Sequence, residues 1–98
     1  INIVCDNSIY GTIRMHQERE YPGRISATTL RNPDFADYAR AFGGHGVTVE
    51  RTADLPDAFR AALAAGKPAI VHLLTDPEAI TPGTTLSGIR AAALAWGR

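Results

Sequence analysis

The sequence predicts an α/β fold: a parallel sheet flanked by helices in three layers. Three observations carry the prediction. Short β-branched apolar runs alternate with segments of helical period. The runs at Ile1–Cys5, Val47–Glu50 and Pro68–Leu74 are nearly continuous in apolar character, the pattern of strands covered on both faces. Clusters that favour helix starts stand between them, as in Asp6-Asn7-Ser8 and Asn32-Pro33-Asp34.

Taken in order, Ile1–Cys5 reads as a buried strand, with Cys5 as a small core residue. Asp6-Asn7-Ser8 favours a turn or helix cap, because these side chains bond nearby amides. Tyr10–Arg19 then reads as a helix, with Arg14 and Glu18 spaced for an i,i+4 ion pair. Tyr21–Arg31 contains Pro22 and Gly23 and few apolar residues, so it reads as a loop; loops of that length are often functional or mobile. Asn32 is expected to cap the next helix, with Pro33 in its first turn and Asp34 favourable to its dipole. Phe35, Tyr38, Ala39 and Phe42 form its apolar face, and Gly43-Gly44 ends it.

Val47–Glu50 is a short strand. Asp54 is expected to cap a third helix, with Pro56 and Asp57 in its first turn. Leu55, Phe59, Ala62 and Leu63 are its buried face, and Gly66 its stop. Pro68–Leu74 is a strand and Thr81-Pro82-Gly83 a turn. Ser87–Trp96 is a last amphipathic helix, its apolar side drawn from Leu86, Ile89, Ala93 and Trp96. Three strands make a small sheet, so more strands are expected than these residues supply, from upstream or from a partner. The opening in mid-strand, without a basic leader or initiator Met, leads to the expectation that residues 1–98 are a fragment of a larger protein.

Composition narrows the function classes. The chain has 98 residues, 45% hydrophobic and 20% charged, with zero net charge. No basic excess points to nucleic acid or to an anionic membrane. No apolar run approaches the ~20 residues of a membrane span. The single cysteine can form no internal disulfide, which fits a reducing cytoplasm. His16, His45 and His72 are not at zinc spacing. His72, alternating with apolar neighbours, reads as a satisfied buried histidine, and His16 as a surface or interface residue. Gly43-Gly44-His45-Gly46 lacks the Lys-Ser/Thr of a P-loop and reads as a helix stop. Arg19, Arg24 and Arg31 flank the long loop; solvated charge is the default reading, an anionic substrate or acyl-CoA the other. Tyr21 and Pro22 read as loop packing or as part of a lid.

The chemistry concentrates where the first strand ends. Ligands of open α/β sheets bind beyond the carboxyl ends of strands. The helix after Asn7 offers free amides there, an anion site suited to phosphate. Asn7 adds a hard oxygen of the kind Mg²⁺ takes beside phosphate. On local chemistry alone a bare helix cap is the ordinary reading; the other is a metal–diphosphate site over residues 7–12.

The longer string from Ile3 to Glu18, Ile-Val-Cys-Asp-Asn-Ser-Ile-Tyr-Gly-Thr-Ile-Arg-Met-His-Gln-Glu, resembles the second half of the thiamine-diphosphate motif. That motif runs from Gly-Asp-Gly to a strand ending in Asn-Asn, followed two residues later by an aromatic or Leu and then Gly. Asn32-Pro33-Asp34-Phe35 with residues 39–43, and Lys67–Val71 with Thr75-Asp76-Pro77, are similar to later parts of the same domain in acetolactate synthase- and benzoylformate decarboxylase-like enzymes. The resemblance implies that residues 1–98 are the C-terminal portion of a thiamine-diphosphate-binding domain. It implies Mg²⁺ ligation by the Asn7 side chain and the Ile9 carbonyl. It further implies that Tyr10 and Gly11 lie at the diphosphate, and that Thr12 and Ile13 line the thiazolium and substrate pocket. Two departures stand out: Asp6 replaces the first Asn of the pair, and Gly-Asp-Gly is not among these residues. No catalytic residue is assigned within them.

The implied enzyme is a cytoplasmic, homo-oligomeric 2-oxo acid decarboxylase or carboligase that uses no nucleic acid or membrane partner, with these 98 residues inactive alone. The alternative is a stand-alone, non-catalytic α/β module for binding or self-association.

Overall fold

The computed structural model describes residues 1–97. In chain order the elements are β1 (Asn2–Asp6), α1 (Gly11–Glu20), α2 (Phe35–Ala41), β2 (His45–Val49), α3 (Leu55–Ala64), β3 (Ala69–Leu74), β4 (Ala79–Thr81), β5 (Thr84–Thr85) and α4 (Leu86–Ala95), with a 3₁₀ turn at Thr52–Asp54. They form two compact units. Ile1–Asp6 joins Asn32–Thr75 in the first; Asn7–Arg31 joins the segment from Asp76 onward in the second.

The first unit is a parallel sheet in the order β1-β3-β2. Ile3 and Val47 both pair with Val71, and Val4 and Thr48 with His72. Successive side chains of a strand point to opposite faces, so Val71 and His72 divide the sheet into two sides. Val71 is fully buried in a cluster with Val49, Ala58, Ala62 and Ala69, flanked by Val47, Leu55 and Leu73; α3 covers that side. The His72 side meets Phe35 of α2, ring edge to ring face at 5.1 Å between centroids. Helix, sheet and helix make the three expected layers.

Among the described residues, β3 alone is an interior strand of this sheet. β1 was expected to be buried on both faces, yet it lies at the sheet edge, and Ile1 and Ile3 are each 49% exposed. Cys5, expected in the core, is exposed as well. The reason is placement: α3 packs on β2 and β3, so the side of β1 that carries Ile1, Ile3 and Cys5 has no helix of this unit over it.

The apolar faces also shift. Helix α2 buries Ala36 and Ala39, while Tyr38 and Phe42 stand exposed and pack edge-on against each other. Helix α3 buries Ala58 and Ala62, leaves Leu63 exposed and covers Phe59 only in part. Small residues lie against the sheet because the backbones approach closely. A β-carbon built on Gly46 falls 2.1 Å from the Ala36 carbonyl oxygen. Gly46 and His45, read from sequence as part of a helix stop, belong to β2. Gly43 ends α2 with φ +76°, the left-handed position that favours glycine.

Two caps differ from expectation. Helix α2 starts at Phe35, and the Asn32 side chain, expected as its cap, donates instead to Asp6 Oδ1 at 2.7 Å. Asp34 is its cap, accepting the Asp37 amide at 2.9 Å, and this bond holds the Asp34 carboxyl below its ordinary range. Asp54 holds the expected cap position of α3 but makes no side-chain cap bond; its carboxylate takes the Arg51 guanidinium at 3.0 and 3.1 Å.

The second unit packs α1 against α4. The predicted turn at Thr81-Pro82-Gly83 closes a small antiparallel hairpin, β4–β5, whose strands are too short to show a period in sequence. Thr85 caps α4 by accepting the Gly88 amide at 3.0 Å, and Glu78 accepts both the amide and the hydroxyl of Ser87 at 2.9 Å. Of the expected α4 face, Leu86 and Ala93 are buried, whereas Trp96 is exposed. No described helix is long and apolar enough to cross a membrane.

Candidate functional site

The segment Asn7–Ile13 leads into α1 through a left-handed residue. Ser8 has φ +59°, which costs a non-glycine residue about 1 kcal/mol. That turn brings the Ile9 N–H back to Asn7 Oδ1 at 3.2 Å. Asn7 is therefore a turn residue and not the helix cap that its local chemistry favoured, since Tyr10 holds the cap position of α1; its carbonyl oxygen has a second lone pair for another partner. Its amide nitrogen lies over the helix start, 3.3 Å from where a β-carbon on Gly11 would stand.

Ile9 is held from the other side by a bridge to Thr29. The bridge uses the Ser8 carbonyl (2.8 Å from Leu30 N) and the Tyr10 N–H (2.9 Å from Thr28 O). The first bond of the helix runs from Arg14 N–H to the Tyr10 carbonyl at 2.8 Å. The Ile9 carbonyl takes part in neither.

Helix α1 has no side-chain cap and no acidic residue in its first turn. The leading amides of a helix carry partial positive charge and need a partner, and the Tyr10 side chain at the cap position supplies none. Ile9, Tyr10, Gly11, Thr12 and Ile13 line a cleft of about 270 Å³ at that end. The structure thus brings these five proposed residues to one hollow, with Asn7 beside it. The donor set suits a hydrated cation paired with a phosphate: one amide oxygen, one main-chain carbonyl and a positive helix end.

The loop at 21–31 is pinned to α1. Arg14 donates to Thr28 Oγ1 at 2.6 Å and to Thr29 Oγ1 at 2.9 Å; Gln17 bonds Thr28 Oγ1 and the Ser26 carbonyl at 2.9 and 2.7 Å. The predicted Arg14–Glu18 pair is not made. Glu18 is 0% exposed and takes Arg90 of α4 through both oxygens, 2.7 Å each, and the Gly23 amide at 3.0 Å. The Arg90 hydrogen bonds hold the Glu18 carboxyl below its ordinary value, against the opposing effect of burial. Arg24 lies over the Tyr21 ring at 5.9 Å, and Arg19 sits 3.5 Å from His16 Nδ1. Among the described residues no group of His, Cys, Asp and Glu is arranged to hold a metal by itself.

Asp6, the departure in the motif, is 7% exposed and bonds His72, 4% exposed, at 2.7 Å. Sequence reasoning anticipated a satisfied His72 but not its partner 66 residues away. It missed Arg90 for the same reason: nothing local couples residues so far apart.

Residues 1–73 match the family described as thiamine pyrophosphate enzyme, C-terminal TPP binding domain. The chain is 33% identical over 82 residues to the acetolactate synthase large subunit IlvG of Mycobacterium tuberculosis, covering 84% of this chain. It is 35% identical over 75 residues to the acetolactate synthase isozyme 2 large subunit of Escherichia coli, covering 76%. It is 33% identical over 76 residues to the acetolactate synthase of Bacillus subtilis, covering 78%. The matched region is 15%, 14% and 13% of the length of these relatives, respectively.

Proposed function

The chain belongs to the family of C-terminal thiamine-pyrophosphate-binding domains of thiamine pyrophosphate enzymes, and we propose that it holds the magnesium–diphosphate end of that cofactor in a 2-oxo acid decarboxylase or acetolactate synthase-like carboligase. The observation that carries this reading is the uncapped start of α1, with its cleft lined by residues 9–13 and Asn7 at its side.

In this reading Asn7 Oδ1 and the Ile9 carbonyl ligate Mg²⁺. The amides at the start of α1 neutralise the diphosphate. Gly11 leaves room for Asn7 where any β-carbon would crowd it. Thr12 and Ile13 face the reacting end, a small hydroxyl and a branched alkyl that select among substrates by shape. When bound, the cofactor supplies the carbanion chemistry that removes CO₂ from a 2-oxo acid. The residues in hand bind and orient; the proton transfers belong to groups outside them. The reading takes the parent enzyme as homo-oligomeric and cytoplasmic; the zero net charge accords with the expectation of no nucleic-acid or membrane partner.

Calorimetry of the full-length protein with thiamine diphosphate and Mg²⁺ tests this. Micromolar binding is expected, falling at least tenfold in Asn7→Ala. The same variant loses one turn hydrogen bond, about 0.5–1 kcal/mol of stability, so its melting temperature changes little. Absence of binding by the wild-type protein would favour a non-catalytic module instead.

A further inference from the structure

An acidic residue immediately before a cation ligand and a diphosphate is a liability unless its charge is held elsewhere. Asp6 occupies that position in the chain, and the structure shows what holds it. His72 Nε2 lies 2.7 Å from Asp6 Oδ2, and Asn32 Nδ2 donates to Asp6 Oδ1 at 2.7 Å. The main chain adds a third tie, from the Thr75 N–H to the Asp6 carbonyl at 2.8 Å. The Phe35 N–H donates to His72 Nδ1 at 3.4 Å, which leaves the ring proton on Nε2, directed at Asp6. Phe35 also closes on the ring edge to face. The network joins the end of β1, the middle of β3 and the approach to α2, all within the first unit.

Accepting the cofactor reading above, we propose that Asp6 and His72 are a positioning pair: His72 binds the Asp6 carboxylate so that an acid can precede Asn7 without opposing the diphosphate. Asp6 is then neither a metal ligand nor a free charge at the site, and His72 is the residue that makes the Asp-for-Asn departure tolerable. His72 and Asn32 hold the carboxylate in its buried position, one donor on each oxygen; without the His72 donor the buried position is costly to the charged group, and the carboxylate turns out of it.

The test measures thiamine diphosphate binding at saturating Mg²⁺ in the full-length protein by calorimetry, with melting curves alongside. His72→Leu is expected to weaken binding at least tenfold. His72→Gln, which keeps an N–H donor, should recover most of it. Asp6→Asn/His72→Leu should return binding to within about threefold of wild type, because the stranded charge is gone. Asp6→Asn alone should leave binding within about threefold of wild type. Should His72→Leu fail to fold, Asp6→Asn and the double variant decide the matter. A tenfold loss in Asp6→Asn would make Asp6 a ligand and overturn the proposal. So would a double variant that binds as weakly as His72→Leu, the result of a purely structural role. Failure of the wild-type protein to bind at all would remove the cofactor reading and this inference with it. Binding that is intact but indifferent to His72 would remove this inference alone.

Discussion

Asn7 combines two demands that residue chemistry rarely reconciles. It closes a turn through the Ile9 amide, and in the proposed reading it also offers its second lone pair to a cation. Gly11 leaves room for the Asn7 side chain. A methyl there would stand 3.3 Å from both Asn7 Nδ2 and Ile80 Cδ1, tighter than ordinary contact. Gly11→Ala is therefore expected to weaken Mg²⁺–thiamine diphosphate binding several-fold. Alanine's better helix propensity, worth about 1 kcal/mol, offsets the crowding, so unfolding in urea should change by less than that amount. A variant that melts early but binds normally would show that Gly11 serves the fold alone. At this scale the sequence was informative where chemistry is local. The Asp-Asn-Ser turn and the open helix start were legible because neighbouring residues make them. Asp6–His72 and Glu18–Arg90 were not, since each joins residues brought together only by the fold.

At the scale of elements, two contacts decide how helices seat. Helix α1 meets α4 through Glu18 and Arg90, a carboxylate with no exposed surface against a guanidinium 41% exposed. Arg90→Ala strands the carboxylate. Fully buried pairs broken this way cost about 3–5 kcal/mol; with Arg90 partly in water, about 2–3 kcal/mol is expected. Because the Glu18 carboxyl is held below its ordinary value of 4.5, its contribution is complete above that pH and fades as pH falls beneath it. Urea unfolding of wild type and Arg90→Ala should therefore converge as the pH drops from neutrality into the range below 4.5; a constant gap would contradict the ion pair as the cause. Gly46 fixes how closely α2 approaches β2. Gly46→Ala would place a methyl 2.1 Å from the Ala36 carbonyl oxygen, with backbone on the other side of the clash. The expected cost exceeds about 3 kcal/mol, read as loss of the cooperative melt; a mild effect would mean the helix can lift. The helix faces were misjudged for a related reason. Apolar period located α2 and α3 and named Ala39 and Ala62 correctly, but it counted Tyr38, Phe42 and Leu63 on the same faces. Close approach selects Ala36, Ala39, Ala58 and Ala62 and leaves Tyr38, Phe42 and Leu63 outside.

For the molecule as a whole, the alternation of strand and helix sufficed to predict a parallel sheet between helices, and the first unit has that form. What periodicity could not supply was strand order. An apolar strand looks alike at the centre and at the edge, and β1 proved to be an edge with Ile1 and Ile3 half exposed. Nor did it reveal that the segment after Asn7 belongs to a second unit with the β4–β5 hairpin and α4. The account rests on the site carried by that second unit, and the most direct measurement is a crystal structure of the full-length protein grown with thiamine diphosphate and Mn²⁺ in place of Mg²⁺. The account predicts an anomalous peak within coordination distance of both Asn7 Oδ1 and the Ile9 carbonyl oxygen, with diphosphate oxygens against the first amides of α1. A peak ligated by Asp6, or a diphosphate bound away from residues 7–13, would contradict it.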